Sequence, residues 1–241
     1  MSVSEKISRQ IQAIPEDVSF GYEQLRLAPG EFQSAAKALE RLRRKGTIKR
    51  ISKGRFYRPR MTIFGEKRPN EEQLLKPYLY ENGKRIAYIT GLSLYNQLGL
   101  TTQIPTTWQI ASRDKRIFIN TEAIQASAVK SYVDVSEDNY RLLGLLDAMK
   151  DLKQIPDVDL QSAIPIFKTS IGALPRAQQE ELIGYALSYP PRVRALLGAL
   201  LEDLTYPEDL TNLKQSLNPL SKFDLGISAT ELQSAPNWSI V

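Results

Sequence analysis

The 241-residue sequence contains neither cysteine nor histidine. Without cysteine there is no disulfide and no thiolate metal site, a composition that suits a cytoplasmic protein. The missing histidine excludes more. It removes the Ser-His-Asp and Cys-His nucleophile pairs, the usual zinc ligand sets and the imidazole general base. Glycine-rich phosphate cradles are absent too, since no GxGxxG or GxxxxGK[ST] run occurs. No stretch reaches the about 18 uncharged apolar residues of a spanning helix. The oiliest run, Val193 to Leu204, is bracketed by Arg192, Arg194, Glu202 and Asp203, and MSVSEKISRQ at the start lacks the apolar core of a signal peptide. A carboxylate-only nuclease is the remaining enzymatic alternative. Asp151, Lys153, Asp157 and Asp159 supply the residue types, but in the wrong order for a restriction-type acid followed by acid-x-Lys. The expectation is therefore a non-enzymatic protein with no cofactor, no metal and no membrane segment. With 42% apolar and 24% charged residues the chain has the composition of a folded globular protein.

Charge is unevenly spread. Residues 37 to 60 hold 11 of the 32 basic residues against one acid, Glu40, so this stretch carries +10 and the rest of the chain −5. A local surplus of this kind is an electrostatic footprint for a polyanion, although a charge run alone also describes a solvated helix face. The pattern inside the run decides. From Glu31 the apolar residues Phe32, Ala35, Leu39 and Leu42 recur at helical spacing, and Ser34, Lys37, Arg41 and Arg44 repeat on another stripe. A helix from Glu31 to Lys45 would bury one face and present the other, with Gly46 as its left-handed cap. TIKRISKGRFYR then reads as a hairpin turning at Gly54, with Ile48 and Ile51 breaking strict alternation and one of Phe56 and Tyr57 pointing inward. Upstream, Ser2 and Glu5 have capping-box spacing, Ile7, Ile11 and Ile14 form a stripe that Pro15 ends, and a short helix at Tyr22 to Leu25 leads into the Ala28-Pro29-Gly30 turn. Helix, short helix, turn, basic helix and basic hairpin are the parts of a winged helix-turn-helix.

The run KALERLRRKGTIKRISKGRFYRP resembles the N-terminal winged-helix module of the AbiEi-family antitoxins of type IV (abortive infection) toxin-antitoxin systems. AYITGLSLYNQLGLTTQIPTTWQIAS resembles the stretch that follows in that family, and YPPRVRALLGALLEDL the helical C-terminal part of one branch. The resemblance implies a DNA-binding autorepressor that also neutralises a nucleotidyltransferase-like toxin encoded beside it. The expected partners are operator duplex DNA and that toxin, with self-association on DNA left open. The residues expected to touch DNA are Gln33, Ser34, Lys37 and Arg41 in the first turns of the basic helix, Arg44 and Lys45 at its end, and Lys49, Arg50, Lys53, Arg55 and Arg58 of the hairpin.

The expected fold class is α+β, a winged helix-turn-helix over 1–60 followed by a mixed α/β domain over 61–204 that ends in a helical layer. Residues 205–241 form a C-terminal extension, in which Leu232 to Val241 is either loose or docked through Trp238. Within the second domain we expect a connecting strand from Arg60 to Phe64, a polar linker from Glu66 to Asn70 and a helix from Glu71 to Tyr80. A strand at Ile86 to Thr90 and a helix from Leu92 to Leu98 follow, then a hairpin pairing Thr106–Ala111 with Arg116–Ile119. Helices follow around Leu142 to Met149, Gln178 to Leu187 and Val193 to Leu204, the last pair separated by Pro190 and Pro191. The Val193 stripe is read as core, and Arg113, Lys115 and Arg116 as a solvated turn.

Overall fold

A computed structural model describes residues 2–63, 65–66, 71–121, 124–206 and 209–241. Its helices are α1 (Val3–Ala13), α2 (Phe32–Arg44), α3 (Glu71–Leu79), α4 (Leu92–Gln97), α5 (Tyr140–Asp151), α6 (Leu160–Gly172), α7 (Arg176–Ala186), α8 (Pro191–Asp203) and α9 (Thr211–Gln215). Its strands are β1 (Ser19–Gly21), β2 (Lys49–Ser52), β3 (Arg55–Tyr57), β4 (Met61–Thr62), β5 (Gly65–Glu66), β6 (Tyr80–Glu81), β7 (Lys84–Arg85), β8 (Ala87–Thr90), β9 (Trp108–Ser112), β10 (Ile119–Asn120) and β11 (Gln125–Lys130). The fold is mixed α+β and divides into two compact units, Met1–Gly83 with Ile117–Ser127, and Lys84–Arg116 with Ala128–Val241. All but one residue of the expected polar linker lies outside the described residues, as does Phe64 of the expected connecting strand.

In the first unit α1 starts at a capping box. The Glu5 amide donates to Ser2 Oγ at 3.3 Å, and the Ser2 amide to the Glu5 carboxylate at 2.8 Å. Ile7 and Ile11 of α1 share one core with Ala35, Ala38 and Leu39 of α2, closed by Phe20, Leu25, Ile48 and Phe56. Alanine at two of the inner α2 positions lets the two helix backbones approach closely. Burying each large side chain here is worth roughly 1.5–3 kcal/mol. Phe32, expected on the buried stripe, is instead 59% exposed and rests its ring 5.5 Å from that of Tyr22. It opens the helix, where no turn precedes it to cover its side chain. A Schellman motif ends α2, with the Gly46 amide donating to the Arg43 carbonyl at 2.9 Å and the Thr47 amide to that of Leu42 at 3.0 Å. Gly46 takes the positive φ of +72° that this motif requires.

The hairpin β2–β3 turns through Gly54 and is joined by β1 into an antiparallel sheet of order β1-β3-β2. A register shift between Arg50 and Ser52 places a bulge at Ile51. That extra residue is why Ile48 and Ile51 break alternation and are nevertheless both buried. Phe56 and Tyr57 are also both buried, not one of the two, because adjacent strand residues face opposite sides and α3 packs against β1 as well.

In the second unit β8 and β9 pair antiparallel from Ala87↔Ser112 to Thr90↔Gln109. The expected hairpin of 106–119 is corrected, since β9 pairs with β8, whereas β10, which belongs to the first unit, pairs with the start of β11, Ile119 opposite Ala126. Helices α5 and α8 are buried nearly all round, over Leu142–Met149 and Val193–Leu201, and form the centre of the core with α6 and α7 against them. Asp147, buried on α5, accepts from Tyr88 Oη and Thr90 Oγ1 at 2.8 Å each, Tyr189 Oη at 3.3 Å and Lys150 Nζ at 3.4 Å. Desolvation pushes its carboxyl up, opposed by the charge of Lys150 and by the hydroxyls. Among the described residues no helix is long and apolar enough to cross a membrane.

The segment after α9 docks. Trp238 is buried against Gly198 of α8, and its indole Nε1 donates to Glu202 at 2.7 Å. A Cβ at residue 198 would lie 2.3 Å from two ring carbons of Trp238. Gly198→Ala, a change that raises helix propensity by up to about 1 kcal/mol in an exposed helix, is therefore expected to destabilise this protein by about 1–3 kcal/mol. Thermal unfolding with tryptophan fluorescence checks this, and an unchanged or raised midpoint would contradict the docking.

Candidate nucleic-acid interface

With Ala35, Ala38, Leu39 and Leu42 turned inward, the period of 3.6 residues per turn fixes what α2 presents outward. Gln33, Lys37, Glu40 and Arg44 form the middle of the outer face. Arg41 and Ser34 fall on one flank, Arg43 on the other. Gln33, Ser34, Lys37, Arg41, Arg44 and Lys45 are all exposed. Arg41 leans toward α1, its guanidinium 3.4 Å from Ser4 Oγ. The start of the helix is fixed by Glu31, whose carboxylate accepts from the Ala28 amide at 2.7 Å and from Lys6 Nζ at 2.9 Å. Those two bonds hold its carboxyl below the usual range.

Glu40, the lone acid of the basic stretch, pairs with both neighbouring arginines. Arg43 donates from Nε at 3.0 Å and from Nη2 at 2.9 Å, and Arg44 Nε lies at 3.3 Å. This holds the Glu40 carboxyl down at about 2, first through the Arg43 bond and then through Arg44. It stays ionised at any physiological pH. Because its folded value lies below the ordinary 4.5, its contribution to stability is present above that value and is lost as pH falls through about 2.

The hairpin residues divide. Lys53 at the turn is exposed, as is Arg50 on β2, whereas Lys49 is half-buried opposite Tyr57. Arg55 pairs with Glu23 at 2.7 Å. Arg58 closes the end of α1, donating at 2.8 Å to the carbonyls of both Gln12 and Ile14, with Glu16 at 3.8 Å. Its guanidinium thus satisfies carbonyls that the helix itself leaves without donors. Arg43, Arg50 and Lys53 meet along an open groove of about 860 Å³ that is completed by Tyr78, Phe118, Ile119, Asn120, Thr121 and Gln125. Sequence reasoning missed this groove. Arg43 stood in the basic run, but the return segment 117–127 is placed beside it only by long-range folding, which has no local signature.

The carboxylates that raised the nuclease alternative are each engaged elsewhere. Asp151 accepts from Tyr95 Oη at 2.6 Å, Asp157 from Gln103 at 2.8 Å, and Asp159 caps α6, while Lys153 pairs with Asp224 at 2.9 Å. Among the described residues there is no group of three or more His, Cys, Asp or Glu placed to hold a metal ion. Arg113 donates to the carbonyls of Ser131 and Tyr132 at 3.3 and 2.9 Å.

Residues 6–126 match a family described as a family of unknown function (DUF6088). The structure is similar to the crystal structure of the RV2827C protein from Mycobacterium tuberculosis, with a TM-score of 0.60 and 13% sequence identity over 99% of this chain and 90% of that one. At that identity the likeness is one of fold. No curated protein matches the sequence.

Glu40 sets up opposed effects on any bound polyanion, since it subtracts charge while ordering two arginines. Charge is the larger effect at an exposed site. Glu40→Gln is expected to tighten binding to random-sequence duplex DNA and to steepen the slope of log K against log[salt] by roughly 1. A salt titration by fluorescence anisotropy checks this; weaker binding would mean that arginine placement outweighs charge.

Proposed function

We propose that the chain, which belongs to the DUF6088 family of unknown function, is a sequence-specific DNA-binding antitoxin. In this reading its N-terminal part is a winged helix-turn-helix that represses its own operon, and the protein also neutralises a nucleotidyltransferase-like toxin. The observation that carries the DNA-binding half is the outer face of α2. A helix anchored by its inner face to α1 and the sheet presents Gln33, Ser34, Lys37, Arg41 and Arg44 together, directly before a hairpin that exposes Arg50 and Lys53. The order α1, a 3₁₀ turn at Tyr22–Gln24, α2, β2, β3, with β1 closing the sheet, supports the winged-helix assignment. The antitoxin half rests on the resemblance of 37–59 and the two later stretches to AbiEi-family antitoxins.

On such a module the second helix lies in the major groove and its early residues reach base edges. Gln33 has the amide geometry to pair with adenine through two hydrogen bonds, and Lys37 or Arg41 with guanine. Arg44, Lys45 and Lys53 would meet phosphates and contribute affinity without sequence preference. Arg55 and Arg58, tied to Glu23 and to the end of α1, would act mainly by holding the hairpin and helix in place.

Binding to the DNA upstream of the gene and to a scrambled duplex, at one fixed salt and across a salt series, tests this division. Gln33→Ala is expected to lower the ratio of specific to random affinity by about 1–3 kcal/mol. Lys53→Ala should weaken both alike and flatten the salt slope by about 0.9. Equal affinity of the unaltered chain for the two duplexes would contradict sequence-specific binding. Failure of the chain to rescue cells that express a toxin encoded beside it would contradict the antitoxin role alone.

A further inference from the structure

Phe32 opens α2 with 59% of its surface exposed, although a large apolar ring gains nothing from facing water. The ring is nevertheless held in place. It lies 5.5 Å from the Tyr22 ring at an interplanar angle of 30°, and Tyr22 in turn meets Phe56 edge-on at 6.5 Å and 81°. Phe56 and Phe20, their ring centres 6.0 Å apart, belong to the core that α1 and α2 share. A file of rings therefore runs from that core to the surface and ends at Phe32. The middle ring also reaches the hairpin turn, since a Cβ at residue 54 would lie 3.6 Å from two ring carbons of Tyr22. One side chain thus supports both the start of α2 and the turn of β2–β3, where Lys53 is exposed.

Ala36 lies one turn further along α2, on the same side of the helix as Phe32, and is exposed as well. Gln33 and Lys37, each one residue on, stand next to this pair on the outer face. The result is a short apolar strip, anchored at one end, at the edge of a stretch, 37–60, that carries +10. An apolar protein partner seated here would have to desolvate those charges at a cost. Duplex DNA answers both features, since its phosphates meet the charge and its major groove presents an apolar group, the C5-methyl of thymine, which Phe and Ala side chains contact. We propose that Phe32, with Ala36 beside it, reads thymine through its 5-methyl group, next to the base that Gln33 contacts. The proposal rests on the DNA-binding reading and adds a discrimination that its hydrogen-bonding residues cannot supply, because a pyrimidine without the methyl offers them the same acceptor in the groove.

The test uses the full chain and two synthetic duplexes of the DNA upstream of the gene, identical except that uracil replaces every thymine in one of them. The exchange removes the methyl and keeps every hydrogen-bonding group. Fluorescence anisotropy at one fixed salt is expected to show the thymine duplex bound about fourfold more tightly for each methyl contacted, the worth of burying one such group. In Phe32→Ala this preference is expected to be largely lost, through weaker binding of the thymine duplex alone, whereas Phe32→Leu, still apolar at that position, should retain part of it. Each variant supplies its own ratio, so a change in the folded fraction cancels. A ratio unchanged in Phe32→Ala overturns the proposal, and conversion of a dimer to a monomer by the same variant would then assign the ring to a contact between copies. Equal binding of the thymine and uracil duplexes by the unaltered chain, with both preferred over a scrambled duplex, overturns the proposal and leaves the regulator reading standing. Binding of the upstream duplex no tighter than the scrambled one contradicts the regulator reading and the proposal with it.

Discussion

The packing of α2 on α1 is the contact from which the candidate interface follows. Ala35, Ala38 and Leu39 are buried against Ile7, Ile11, Phe20 and Ile48. A helix with one apolar stripe has one way to lie, and the remaining positions are then obliged to face out. Gln33, Lys37 and Arg44 are exposed because Ala35 and Leu39 are not. Secondary contacts hold the ends. Glu31 ties the start of α2 to Lys6, Gly46 closes its last turn, and Arg58 secures the end of α1. Charge on this surface is consequently fixed in direction as well as in amount, which a flexible basic tail would not achieve.

The second unit is organised differently. Its centre is apolar on every side of α5 and α8, and at that centre sits Asp147 with four donors around it. Desolvating a carboxylate is costly, and only a full set of donors offsets the cost. The arrangement joins β8, α5 and the Tyr189 turn through directional bonds where apolar packing alone would leave their register loosely specified. Residues 222–241 complete the same core through Phe223, Ile240 and Trp238, with the notch at Gly198 receiving the indole.

How much of this could be read in the sequence follows from how local each signal is. The capping box at Ser2, the left-handed glycines 46 and 54 and the helix stripe after Val193 are written within a few residues, and the structure has them where the spacing puts them. Strand β1 is three residues long and gains its identity only by pairing with β3. Strand β11, QASAVK, is mostly small and polar and has little intrinsic preference for extended structure, so the expected hairpin skipped it. Helix α6 contains Pro165, which reads as a breaker, yet Asp159 caps its start and the apolar face of Ile164, Phe167 and Ile171 overrides the penalty. The basic residues of the candidate interface were legible as a cluster. Their division into outward-facing residues and residues tied within the unit, such as Arg55 and Arg58, was not, because their partners Glu23, Gln12 and Ile14 are distant in sequence.

The central claim, that the outer face of α2 and the tip of the hairpin are the surface that meets DNA, is tested most directly by lysine acetylation footprinting of the full chain with and without duplex DNA, read by mass spectrometry. The account predicts that DNA slows modification of Lys37, Lys45 and Lys53 while Lys115, Lys214 and Lys222 react at unchanged rates. Protection of the latter three, with Lys37 and Lys53 reacting as in the free protein, would contradict it.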